Sequence, residues 1–129
     1  MLKAIIIDSN AISRGLLNTV LTEGGYEVVA QSHVAHMGFV MMQKYKPQLV
    51  CIAREQIEDA EDIVGQIRAQ LPKTIIFMVS GAIDAATLQA ALARGVQGFI
   101  VKPFKADAVL KTIRNTVIAT IKKQQAPEG

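Results

Sequence analysis

The stretch Ala4-Ile5-Ile6-Ile7-Asp8-Ser9-Asn10 decides the fold. Its apolar run shows no polar alternation and is rich in β-branched side chains, which suits a strand buried on both faces, as in parallel sheets. The polar residues after it mark where that strand leaves the core. From Ala11 to Thr22 the pattern changes, placing Ile12, Leu16, Leu17, Val20 and Leu21 at helical spacing. Gly24-Gly25 then stops the helix, as glycine commonly does just past a helix end.

The same cycle repeats along the chain. Strands are predicted at Tyr26 to Ala30, Leu49 to Ile52, Thr74 to Val79 and Gly98 to Val101. Between them, helices are predicted over Val34 to Tyr45, with Met37, Val40 and Met41 on one face, over Ala60 to Gln70, and over Asp84 to Arg94. Lys46-Pro47, Leu71-Pro72 and Gly95 supply the stops. A last helix runs from Lys105 to Ile121, with Leu110, Ile113, Val117 and Ile121 facing inward. Residues 122–129 read as a polar tail or linker stub beyond a single domain over residues 1–121.

Five strands alternating with five helices specify an α/β fold: a five-stranded parallel sheet, doubly wound in a (βα)5 flavodoxin-like, three-layer sandwich. In such sheets the functional crevice lies at the carboxyl ends of the strands. Those ends are Asp8-Ser9-Asn10, Gln31, Ala53-Arg54-Glu55, Ser80-Gly81 and Lys102-Pro103.

Bulk properties narrow the function. The 129 residues are 50% hydrophobic and 19% charged, enough to build one core. A net charge of +3 with scattered basic residues argues against direct nucleic-acid binding. Cys51 is the only cysteine, so no internal disulfide can form, and a reducing, cytoplasmic setting is expected. No segment has the length of a membrane span, and the start lacks the pattern of a signal peptide.

The strand ends resemble the response-regulator receiver family (CheY-like) over about residues 2–121. Ile5-Ile6-Ile7-Asp8-Ser9-Asn10 resembles its first strand and acidic pair, with Ser9 in place of the second acid. Gly25-Tyr26-Glu27-Val28-Val29 resembles its second strand. Lys46-Pro47-Gln48-Leu49-Val50-Cys51-Ile52 resembles the approach to the phosphoacceptor aspartate, a position that holds Ala53 here. Ile75 to Ser80 ends in the family's hydroxyl residue. Ala91 to Phe104 is the most specific stretch and carries the Lys102-Pro103 pair.

The resemblance implies phosphoryl transfer from a histidine kinase to an aspartate, assisted by Mg²⁺. That chemistry needs a carboxylate nucleophile, further carboxylates for a hard cation, and a lysine and a hydroxyl for the phosphoryl charge. Asp8, Ser80 and Lys102 remain, while Ser9 and Ala53 replace two acids. A methyl group cannot attack phosphorus. The expectation is a degenerate pocket of Asp8, Ser9, Ala53, Ser80 and Lys102, with no catalytic residue, no cofactor and weak or absent Mg²⁺ binding. An Asp8–Lys102 ion pair is the expected replacement, with Arg54 beside the acceptor position.

Other residues have plainer readings. Glu55 falls on the loop after Ala53, where solvent exposure is a simpler account than a displaced acceptor. Cys51 reads as a small core hydrophobe and Met37, Met41 and Met42 as packing residues. His33 and His36 lack a third ligand, so no metal site is assigned. Lys122-Lys123 reads as a solvated helix end. Phe99 occupies the family's aromatic switch position but has no hydroxyl to exchange between environments. Ser80-Gly81 fits either an anion contact or a helix cap.

The leading expectation is a phosphorylation-independent receiver acting as a protein-interaction module. The family's output face comprises the fourth helix, fifth strand and fifth helix of the repeating pattern. Here Ala85, Ala86, Gln89, Ala93, Val109, Thr112 and Thr116 give that side a weakly charged surface for a protein partner or a second copy. A phospho-competent regulator with an engineered knockout at position 53 is the first alternative, and the concurrent Ser9 argues against it. A small flavin- or nucleotide-binding protein is the second, and the glycine-free Asp8-Ser9-Asn10-Ala11 turn argues against that.

Overall fold

A computed structural model describes residues 1–59 and 62–125. Its strands are β1 (Lys3–Ile7), β2 (Glu27–Ser32), β3 (Leu49–Ala53), β4 (Ile75–Ser80) and β5 (Gly98–Val101). They pair in parallel in the order β2-β1-β3-β4-β5. The helices are α1 (Ala11–Glu23), α2 (Ala35–Tyr45), α3 (Arg54–Asp59), α4 (Ile63–Gln70), α5 (Ala85–Arg94) and α6 (Ala106–Gln125).

Side chains alternate along each strand, so consecutive residues feed opposite layers. Ile5, Ile7, Val50, Ile52, Ile76 and Met78 pack toward the layer that includes Met42 of α2, Ile63, Val64 and Ile67 of α4, and Ala91 of α5. Ala4, Ile6, Leu49, Cys51, Phe77 and Val79 pack toward Leu17 and Leu21 of α1 and Val109, Ile113 and Val117 of α6. Every residue of β3 and β4 is buried, which is why those runs show no polar alternation.

Sequence-legible signals set several helix ends. Asn10 accepts a hydrogen bond from the Ser13 N–H at 3.0 Å and caps α1. Asp84 does the same for α5 through the Thr87 N–H at 2.7 Å. Gly95 closes α5 at φ +116°, a left-handed conformation that glycine adopts without steric cost.

The structure corrects the sequence reading in several places. The described residues form six helices rather than five, because α3 starts directly after β3. Glu55 is therefore helical and not on a loop. Ala60, the expected start of the third helix, lies outside the described residues, as do positions 126–129 of the expected tail. Residues 122–125 continue α6. Helix faces also differ. Ile12 and Leu16 are 76% and 55% exposed, and Met37, Val40 and Ile121 are exposed too. Leu17 and Leu21 carry α1, and Ala35, Gly38 and Met42 carry α2. A helix lying on a sheet buries one narrow stripe, and these segments hold more apolar residues than the stripe accommodates.

Two glycines test this packing in opposite directions. A Cβ added at Gly98 would sit 2.6 Å from two Phe77 ring carbons and 3.1 Å from Thr116, whereas one at Gly15, mid-α1, meets nothing within 4 Å. Gly98→Ala is expected to destabilise the fold by about 1–3 kcal/mol through overpacking. Gly15→Ala should stabilise it by about 0.4–1 kcal/mol by restricting the unfolded chain. Urea unfolding of the two variants checks both signs.

Candidate functional site

Register assembles the site. Ile7 pairs with Ile52, Ala53 with Val79, and Ser80 with Val101, so the residues that end β1, β3, β4 and β5 share one edge of the sheet. Asp8, Ala53 and Ser80 are buried there, while Ser9 is exposed and Lys102 is intermediate.

Asp8 is the one charged residue among the buried positions described, and its environment accounts for it. Its Oδ2 accepts from Lys102 Nζ at 3.2 Å, with side-chain exposures of 4% for the aspartate and 26% for the lysine. Its Oδ1 accepts from the Asn10 N–H at 2.9 Å. The Asp8 carbonyl accepts from Arg14 Nη1 at 2.6 Å, a contact that brings the first turns of α1 back over the strand end. Both carboxylate oxygens are thus engaged by the chain itself.

The rest of the edge is closed by local bonds. Ser80 Oγ donates to the Ala82 carbonyl at 2.9 Å and accepts from the Ala82 N–H at 3.4 Å. Its hydroxyl therefore shapes the loop rather than capping α5, a role held by Asp84. Ala53 offers only a methyl group. Arg54 points Nε at Glu58 Oε2, 3.1 Å away, and Nη1 at the Ala82 carbonyl, 3.4 Å away.

Phe99 is half-buried against the α2–α4–α5 layer. Cys51 is fully buried, and burial pushes its thiol up to about 12, so it resists ionisation at ordinary pH. His33 and His36 are exposed at the start of α2. No group of three His, Cys, Asp or Glu among the described residues is arranged to hold a metal ion.

On the expected partner face, Ala85, Ala86, Gln89 and Ala93 are exposed on α5, and Thr112 and Thr116 are half-buried on α6. Val109 lies beneath that surface rather than on it: it is 3% exposed, packs into the core and lines the floor of the adjoining recess. Alongside lies a recess of about 390 Å³ lined by Phe99, Val101, Pro103, Lys105, Ala108 and Thr112, among others. Arg14 escaped the sequence reading, and so did the contacts of α3, for which the four-residue Arg54–Glu58 spacing was the one visible signal.

The response regulator receiver domain family matches residues 4–114 of this chain. The chemotaxis protein CheY of Listeria monocytogenes is 32% identical over 117 residues, covering 88% of this chain and 96% of that relative. CheY of Bacillus subtilis is 32% identical over 119 residues, with 89% and 97% covered. The solved chemotaxis response regulator CheY4 of Vibrio cholerae superposes with a TM-score of 0.80 at 24% identity, covering 90% of this chain and 98% of that one. The chain belongs to the response-regulator receiver family. No helix among the described residues is long and apolar enough to cross a membrane.

The Asp8–Lys102 contact makes a measurable claim. A buried pair broken on one side typically costs ~3–5 kcal/mol, and an exposed pair contributes ~1 kcal/mol or less. With one partner buried and the other a quarter exposed, the coupling should fall between, at about 1–3 kcal/mol. A double-mutant cycle with Asp8→Asn and Lys102→Met, followed by urea unfolding, measures it. Coupling near zero would mean that the two charges do not hold each other.

Proposed function

We propose that this receiver works without phosphorylation, as a protein-interaction module in two-component-type signal transduction. The observation that carries the reading is Ala53. It stands fully buried at the carboxyl end of β3, where the family resemblance puts the acceptor, and no atom of its side chain can attack phosphorus.

The donor set around it does not fit Mg²⁺ either. Magnesium takes near-octahedral oxygen ligands and sheds its waters reluctantly, so it favours sites rich in carboxylate. Here a single acid, Asp8, has both oxygens committed to Lys102 and Asn10. Ser9 contributes at most a neutral hydroxyl. The Lys102 ammonium already balances the charge of that one carboxylate. No step of a mechanism passes through a metal at this site.

Partner binding would then rest on shape and surface. Ala85, Ala86, Gln89 and Ala93, with Thr112 and Thr116 across from them, form a face with little charge to desolvate. The recess beside Phe99 and Val101 offers a place for an apolar anchor. A protein partner or a second copy of this chain would meet that face, and the site residues serve to hold it in shape.

Acetyl phosphate with Mg²⁺ should leave the intact mass unchanged, and a stoichiometric phosphoryl adduct would overturn the reading. Restoring the acceptor alone, Ala53→Asp, should give poor labelling because Ser9 still lacks a carboxylate. Adding Ser9→Asp should raise labelling more than additively, since the two acids would share one cation. Efficient labelling of the single variant would show that the second acid is dispensable.

A further inference from the structure

Helix α3 begins at the residue after Ala53, and its polar groups reach loops on both sides of it. Toward α5, the Arg54 guanidinium donates to the Ala82 carbonyl at 3.4 Å while Glu58 holds its Nε at 3.1 Å. The same carbonyl accepts the Ser80 hydroxyl at 2.9 Å, so one oxygen joins the end of β4 to the start of α3. Two residues on, the Asp84 carboxyl is held below its usual range, first by the Thr87 backbone N–H and also by the charge of Arg54.

The other contacts run the length of the helix. Gln56 donates Nε2 to the His33 carbonyl at 3.1 Å and accepts from the Ala35 N–H at 3.0 Å, which fixes the start of α2. Ile57 is buried in the core, and its carbonyl accepts from Arg94 Nη1, at the last residue of α5, at 3.2 Å. A helix of six residues is thereby tied to the start of α2, to the loop before α5 and to the last residue of α5.

From this geometry we propose that α3 is an internal clasp, in which Arg54 holds the loop from Ser80 to Asp84, and with it the first turn of α5, in one arrangement. The clasp rests on the phosphate-independent reading for its purpose: a side chain of the protein, always charged, supplies the link between the ends of β3 and β4. It makes the exposed face of α5 a fixed feature of the folded chain. Arginine suits the role because its planar fork serves a carboxylate and a carbonyl at once, which lysine does less well.

Arg54 and Glu58 are 35% and 51% exposed in their side chains, so the clasp acts on local opening rather than on the whole fold. Hydrogen exchange read by mass spectrometry on the full chain tests it. Arg54→Met should speed exchange of amides from Gly81 to Leu88 by about two- to fivefold, with α1 and α6 unchanged. Arg54→Lys should give a smaller rise, and Glu58→Gln a rise at the same amides. Unchanged exchange there in Arg54→Met, or an equal rise across all elements, would overturn the proposal. A phosphoryl adduct on the parent protein would count against the phosphate-independent reading and leave the exchange result standing, so the two failures are separable.

Discussion

A parallel sheet covered on both faces can hold charge only at its ends. β3 and β4 are buried throughout, and β1 is buried from Ala4 onward. An unpaired charge in such an interior would be costly, so every polar function is pushed to the rim. The buried polar residues described obey this rule: Asp8, Ser32 and Ser80 lie at carboxyl ends of strands, and Thr74 sits just before β4. Thr74 satisfies its hydroxyl on the Pro47 carbonyl at 2.9 Å. The position of the site is therefore a consequence of how the sheet is buried.

That rule also explains what could be read from sequence. Runs such as Ile5-Ile6-Ile7 and Ile75-Ile76-Phe77-Met78-Val79 have only one stable use in an α/β domain of this kind. Polar or small residues at their ends locate the rim directly. Helix faces were harder because a surface helix in this fold contacts the sheet along a narrow stripe. Ile12 and Leu16 of α1 continue the helical spacing of Leu17 and Leu21 yet lie outside the stripe, and Met37 and Val40 do the same on α2. Val109 departs in the opposite direction: expected on the surface, it is 3% exposed and reaches that face only as part of the recess lining.

The site itself was half legible. Asp8, Ala53, Ser80 and Lys102 follow from strand ends, and pairing Asp8 with Lys102 follows from the cost of leaving either charge alone. Helix α3 was hidden for a physical reason. Six residues are too few to display a 3.6-residue period, and isolated helices of that length do not hold by propensity. This one is stabilised by tertiary contacts that sequence spacing does not encode: Ile57 in the core, Gln56 on the β2–α2 loop and Arg94 on its carbonyl.

The charge balance at the rim joins these observations. Three carboxylates gathered around one lysine would repel each other unless a cation joined them, and such a pocket would be strained when empty. With Ser9 and Ala53 at the neighbouring positions, one carboxylate faces one ammonium at 3.2 Å, and on the proposed reading that balance needs no cation. Function-bearing pockets commonly trade stability for activity, and removing the reactive groups releases that cost. On the proposed reading, the edge that once demanded a metal now serves as a brace. Lys102 and Asp8 join β5 to β1 across the two strands between them, and Arg54 joins β3 to the loop beyond β4. The surface beside them is then set by the fold itself and is present whenever the chain is folded.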